Sequence, residues 1–346
     1  MPIKISIPII ASILLVAAIA VFATISLYSG AWNPSWNPFD NSSQQILDKA
    51  KVNLLNVETG KIDGFLKVFI ADINAAQEIS GAINLSGEFD AKEIGNMKAS
   101  TDFNVQLGIE GIELSFSGIM KVLKDELYVK FEKLPMFLPI GELSALKEQW
   151  IRFKKETLNQ SNSLEIFDYN QKNEQEIIEE LAQSLKEIIK QREIFQIKKN
   201  LGTNKTNNQE TYHYIVSLDK EETKNSILDL LKSMEKYVKE EQRQEFKEGL
   251  EGFPEDFDLN WQKLKGIEFE VLINKKGNNL NKITGEKTFE LNGIEGLISD
   301  QVNIKIDWEI NFSDFNEKIE IEAPENFIDY EEISQENNSG SLPLFP

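Results

Sequence analysis

From Ile5 to Tyr28 no side chain carries a charge. About 20 helical residues cross a bilayer core, so the pattern predicts a transmembrane segment over residues 1–30, with residues 5–28 in the membrane. Lys4 and the amino terminus precede the run, and the next charge is Asp40. Positive charge before a span keeps that end in the cytoplasm and places the body outside. Ala20-Val-Phe-Ala23 has the small-x-small form of a signal-peptide cleavage site, so secretion after cleavage is the alternative. Trp32, Trp36 and Phe39 follow with Pro34 and Pro38. Aromatics beside a span suit the membrane interface, and proline prevents a continuing helix. Residues 31–44 read as a short stiff tether.

Beyond the tether the period changes. Leu47, Ala50, Leu54 and Val57 recur at helical spacing behind Asn41, Ser42 and Ser43 as caps, with Gly60 to close the helix. Period-2 alternation follows in three places: Leu66, Val68, Ile70; then Phe103 to Ile109 continuing to Leu114 and Phe116; then Leu127, Val129, Phe131. Glycines at 81, 87, 95, 108, 111 and 118 read as turns or bulges. Ile177 to Ile189 is an amphipathic helix. A strand pair is expected at Phe195–Lys198 and Thr211–Leu218, joined by a polar turn from Gly202. Asp219, with Glu222 three residues on, reads as a helix N-cap. Gly249 to Pro254 reads as a break. Ile267, Phe269, Val271 and Ile273 alternate before a turn at Lys275–Asn279. Val302 to Phe312 is the longest unbroken alternation, and Ile319 and Ile321 suggest a last strand. Residues 331–346 have no period and read as a disordered tail.

The fold class expected is therefore α+β. Residues 45–330 form one extracytoplasmic domain, a large curved antiparallel sheet with helices packed on one face.

Composition narrows the chemistry. The 346 residues hold 57 acidic and 37 basic side chains, one histidine and no cysteine. Without cysteine there is no disulfide, thiolate metal site or cysteine nucleophile. A formal charge of −20 argues against a nucleic-acid surface, which needs clustered cations. The acidic clusters lack the spacing of a calcium loop. His213 alternates with Tyr212 and Tyr214 and so takes the polar face of its strand. No nucleophile–base pair is visible, so neither catalysis, a metal nor a cofactor is expected.

The stretch Leu134-Pro-Met-Phe-Leu-Pro-Ile140 stands apart. Two prolines make it a loop, and loops are ordinarily polar. An apolar loop covers its own core, lines a ligand cavity or touches a membrane. Leu134, Met136, Phe137 and Leu138, with Trp150 and Phe153 just after, are the candidate ligand-binding residues.

Several stretches resemble one family. They are the opening helix Leu47–Val57, the strand Leu127-Tyr-Val-Lys-Phe-Glu-Lys-Leu-Pro135, and the segment Gln149-Trp-Ile-Arg-Phe153. Glu210 to Asp219 leading into a helix, and Ile321-Glu-Ala-Pro324, complete the set. Together they resemble the LolA-like half-barrel shared with LppX/LprG-type cell-envelope lipoproteins. The resemblance implies a curved sheet and helices around an apolar cavity for lipid tails. Such lipoproteins are anchored through a lipidated cysteine, which this chain lacks, so a protein helix would serve instead. The function expected is non-covalent binding of a lipid or other apolar ligand by a membrane-anchored domain. The alternative is a structural or protein-interaction domain of the cell envelope with a filled core.

Overall fold

The computed structural model describes residues 42–72, 78–93, 96–109, 111–124, 126–135, 147–154, 174–206, 209–264, 266–292 and 301–333. The expected membrane segment, nearly all of the tether and the tail beyond Ile333 lie outside these residues. Among the described residues no helix is long and apolar enough to cross a membrane.

The architecture is one mixed open sheet of 12 strands with a layer of helices. The strands are β1 (Thr59–Asp72), β2 (Glu78–Asp90), β3 (Lys98–Ile109), β4 (Ile112–Leu123), β5 (Glu126–Lys133) and β6 (Trp150–Lys154), then β7 (Phe195–Thr206), β8 (Gln209–Leu218), β9 (Glu268–Asn274), β10 (Leu280–Asn292), β11 (Gln301–Ser313) and β12 (Ile328–Asp329). Among the described residues four helices accompany them: α1 (Ser43–Leu54), α2 (Glu174–Gln191), α3 (Lys220–Glu235) and α4 (Glu240–Leu264). Across the sheet the order is β12-β6-β5-β4-β3-β2-β1-β11-β10-β9-β8-β7. Two meanders are thus joined by β11 lying on β1, with Leu66 opposite Trp308 and Val68 opposite Ile306.

Every pairing is antiparallel except the last. β12 runs parallel to β6, with Ile328 opposite Ile151, so the sheet is mixed rather than wholly antiparallel. The chain reaches that edge by passing over the sheet from the end of β11. Thr59 Oγ1 donates to the Glu317 carbonyl, Lys121 Nζ to the Glu322 carbonyl, and Phe327 meets Tyr128 edge-on. Ile321 is a buried residue of this strap and does not form a strand.

Helix α1 opens on a complete capping box. Ser42 Oγ accepts from the Gln45 backbone, and the Gln45 side chain accepts from the Ser42 backbone. Its apolar stripe, Ile46, Leu47, Ala50 and Leu54, packs on Tyr214, Val216, Phe269, Val271 and Ile273 to form the main core. Gly60 does not close this helix; it lies within β1. Helix α2 joins the helical layer through Ile189, which packs with Leu55 and Ile194. Asp219 caps α3 as expected, accepting from the Glu222 backbone at 2.9 Å.

Three further boundaries differ from the sequence reading. The break at Gly249–Pro254 is absent, and α4 runs through Pro254. Phe253, Phe257 and Trp261, spaced by four, stack along one side of that helix and carry it across the missing backbone donor. The chain turns instead at Tyr237 and Val238, both buried. Strand β7 extends to Thr206, because bulges after Ile197 and Asn200 absorb Lys198 and Leu201. Of the glycines read as turns or bulges, Gly111 sits at a turn with φ +82° and Gly118 at a bulge. Gly81, Gly87 and Gly108 lie inside regular ladders; Gly95 is outside the described residues.

Candidate functional site

The register divides the sheet into two faces with opposite chemistry. One row reads Trp308, Leu66, Ile83, Val105, Phe116 across β11, β1, β2, β3 and β4. The next reads Ile306, Val68, Gly81, Leu107, Leu114, and a third Ile310, Gly64, Leu85, Phe103, Gly118. On this face β1 from Ile62 to Ile70, β2 from Ile79 to Phe89, β3 from Ala99 to Ile109 and β4 from Ile112 to Val122 present no charged side chain. The opposite face of the same strands carries Ser80, Asn84, Ser86, Asp102, Asn104 and Ser117. There Ser86 Oγ donates to Asp63 at 2.5 Å.

The apolar face meets two fates. Under α1 it is closed, and Tyr214, Val216, Val271 and Ile273 are at most 2% exposed. On β2, β3 and β4, away from the buried Phe89, it is open: Ile79 is 39% exposed, Ile83 38%, Leu85 43%, Leu107 37% and Ile112 57%. A contiguous exposed apolar surface of this kind marks an interaction site, because single exposed aliphatics are common but clusters are not. Its inner limit is Trp308, which lies against Gly285 and packs on the covered core.

Glycine shapes this surface. A Cβ added at Gly64 would meet the Glu309 carbonyl oxygen at 2.4 Å; at Gly87, the Ser100 oxygen at 2.6 Å; at Gly118, the Lys130 oxygen at 2.1 Å. All three positions are on the apolar face, and in each the obstacle is the neighbouring strand's backbone.

Three of the six candidate residues from the sequence, Leu134, Trp150 and Phe153, are among the described residues. Leu134 is half-buried directly after β5. Met136, Phe137 and Leu138 lie outside the described residues. Phe153 is on the apolar face, stacked on Tyr330 with ring centroids 4.9 Å apart. Trp150 is opposite Lys130 on the polar face, with the ammonium groups of Lys121 and Lys130 each 5.5 Å from its ring centre. Alternation along β6 therefore puts Trp150 and Phe153 on different sides.

The polar face holds the charged chemistry. Arg152 donates to both Asp329 oxygens, at 2.6 and 2.9 Å, and to Glu126 at 3.1 Å, and its guanidinium lies 4.2 Å from the Phe327 ring. The Arg152 hydrogen bonds hold the Asp329 carboxyl below the usual carboxylate range, against a smaller opposing effect of burial. Burial, with the Glu126 carboxylate beside it, pushes the Tyr128 hydroxyl up. This cluster fastens the strap and leaves no nucleophile beside a base. His213 is on the polar face as expected, 2.8 Å from Glu270. Among the described residues no group of acidic or histidine side chains is arranged to hold a metal ion. A cavity of about 260 Å³ lies elsewhere, between β7, β8 and the end of α4, lined by Gln196, Ser217, Trp261 and Glu268 among others. It mixes charged and apolar side chains, Lys198, Lys220 and Glu268 with Leu218, Trp261 and Ile267, and is separate from the open apolar face.

No family model matches the sequence, and no curated protein matches it. Two solved mycobacterial structures are similar in fold. LprF from Mycobacterium bovis is 12% identical with a TM-score of 0.37, over 81% of this chain and 96% of that one. The lipoprotein LppX from Mycobacterium tuberculosis is 9% identical with a TM-score of 0.30, over 81% and 97%. LppX is one of the proteins named in the sequence resemblance.

The sequence reading missed the surface because it missed β2. Its inward positions run Ile79, Gly81, Ile83, Leu85, Gly87, Phe89, and the two glycines interrupt the aliphatic alternation. The residues of β3 and β4 were legible as strands, but nothing in one strand tells whether a helix covers it.

Proposed function

We propose that this chain binds a lipid or other apolar ligand non-covalently on the open half of its apolar sheet face. The observation that carries the reading is the cluster of Ile79, Ile83, Leu85, Leu107 and Ile112, exposed side by side on three consecutive strands. The close approaches at Gly64, Gly87 and Gly118 support a sheet bent toward this face, since a neighbouring backbone leans over it at each point. Such a bend turns an apolar plane into a trough. Burial of each CH₂ is worth about 0.8 kcal/mol, so a sixteen-carbon chain gains roughly 10 kcal/mol before the costs of binding. With no charge on this part of the sheet, the ligand is held by its apolar portion. The apolar segment 5–28 would keep this domain at the outer side of a membrane, within reach of such ligands. The reading requires no catalytic group.

The test is extraction of the purified full-length chain followed by mass spectrometry. A stoichiometric apolar molecule that survives exchange of the purification detergent is expected. A ligand-free chain that gains no thermal stability from added lipids would favour the interaction-domain alternative.

A further inference from the structure

The two edges of the sheet are treated differently. One ends on β6, to which β12 is added and fastened by Arg152 and Asp329. The other ends on β7, whose only strand partner among the described residues is β8. Here the Gln44 carboxamide takes the place of a neighbouring peptide group. Its Nε2 donates to the Phe195 carbonyl at 3.0 Å and its Oε1 accepts from the Ile197 backbone at 3.3 Å. That contact shows the outer side of β7 to be geometrically pairable. Past Gln44, every residue from Lys198 to Lys205 is exposed, including Leu201 at 38%. The Gly202 and Lys205 amides turn onto the Asn200 and Asn204 side chains, which occupy donors without covering the edge.

The charge of this edge is opposite to that of the molecule. β7 contains Lys198, Lys199 and Lys205 and no acidic residue, in a chain with 20 more acidic than basic groups. None of the three lysines has an ion-pair partner among the described residues; Glu210, the cross-strand neighbour of Lys205, is paired with Lys275. Lysines on an edge prevent pairing with a second copy of the same strand, because like charges would face each other. The same lysines favour an edge partner of opposite sign.

We propose that the open edge of β7 receives an extended acidic segment of a partner protein as an added strand. Backbone hydrogen bonds supply the attachment, the three lysines select acidic side chains, and Leu201 offers one apolar contact. This surface is independent of the apolar face.

The experiment uses the full-length chain in an uncharged detergent and fluorescence anisotropy. The probe is a labelled ten-residue peptide alternating Glu with Thr around a central Leu. Saturable binding is expected, at least tenfold weaker in the K198E/K199E/K205E variant and lost when alternate peptide nitrogens are N-methylated. Absence of saturable binding overturns the proposal. So does equal binding of the N-methylated peptide, which would mark a charge patch suited to any polyanion. The methylated arm needs no substitution in the protein, so the outcome stands even if the triple variant misfolds.

Discussion

The covered and open halves of the apolar face are built from the same alternation and end in different states. On β8 and β9, Tyr214, Val216, Val271 and Ile273 disappear under α1. On β2 to β4, Leu85 and Ile112 keep 43% and 57% of their surface in contact with solvent. A strand does not decide whether its apolar side becomes core. The helix delivered above it does, and α1 packs over the β7–β10 half of the sheet.

The sharpest way to break the comparison is a charge in the covered half. Val216→Asp places an unpaired carboxylate at a site with 0% exposure and should cost about 4 kcal/mol or more, measured by urea unfolding. Next is the shape of the open half. Gly118→Val drives a side chain into the Lys130 carbonyl and should cost about 2 kcal/mol, with a lowered melting temperature. Ser42→Ala removes the α1 cap and should cost about 1 kcal/mol, with faster amide exchange in the first turn of that helix. Stability of wild type that rose on this change would contradict the role given to α1.

The smallest effect concerns the strap. The Asp329 carboxyl titrates lower when folded, so its contribution is present above the ordinary carboxylate range and fades as pH falls through the folded value. Asp329→Asn should flatten that acidic limb of the stability curve and speed proteolysis after residue 314. An unchanged pH profile would show that Arg152 does not hold the strap through this carboxyl.

Much of this layout was legible in the chain. Val302 to Phe312 alternates without interruption because its inward positions are all large, and it became β11 at the centre of the sheet. Strand β10 was hidden for the opposite reason. A bulge after Leu280 shifts its phase, and Gly285 and Lys287 occupy inward positions. Pro254 suggested a break because the local donor is lost, while the Phe253-Phe257-Trp261 stripe that outweighs it lies on both sides of the proline. The candidate site was the least legible feature. Trp150 and Phe153 were candidates because they directly follow the apolar loop, yet alternation along β6 separates them across the sheet. The exposed aliphatics of β2 were unremarkable in sequence, and only pairing with β3 and β4 assembled them into one surface.

The most direct test of the central claim is titration of a fluorescent acyl-chain probe against the unaltered chain and the Ile83→Asn/Leu85→Asn variant, with urea unfolding of both. Both side chains are more than a third exposed, so stability should change by less than about 1 kcal/mol, while probe affinity falls about tenfold, equivalent to ~1.4 kcal/mol. Equal affinity in the two proteins, or a variant that unfolds as readily as one altered in the covered half, would contradict the account.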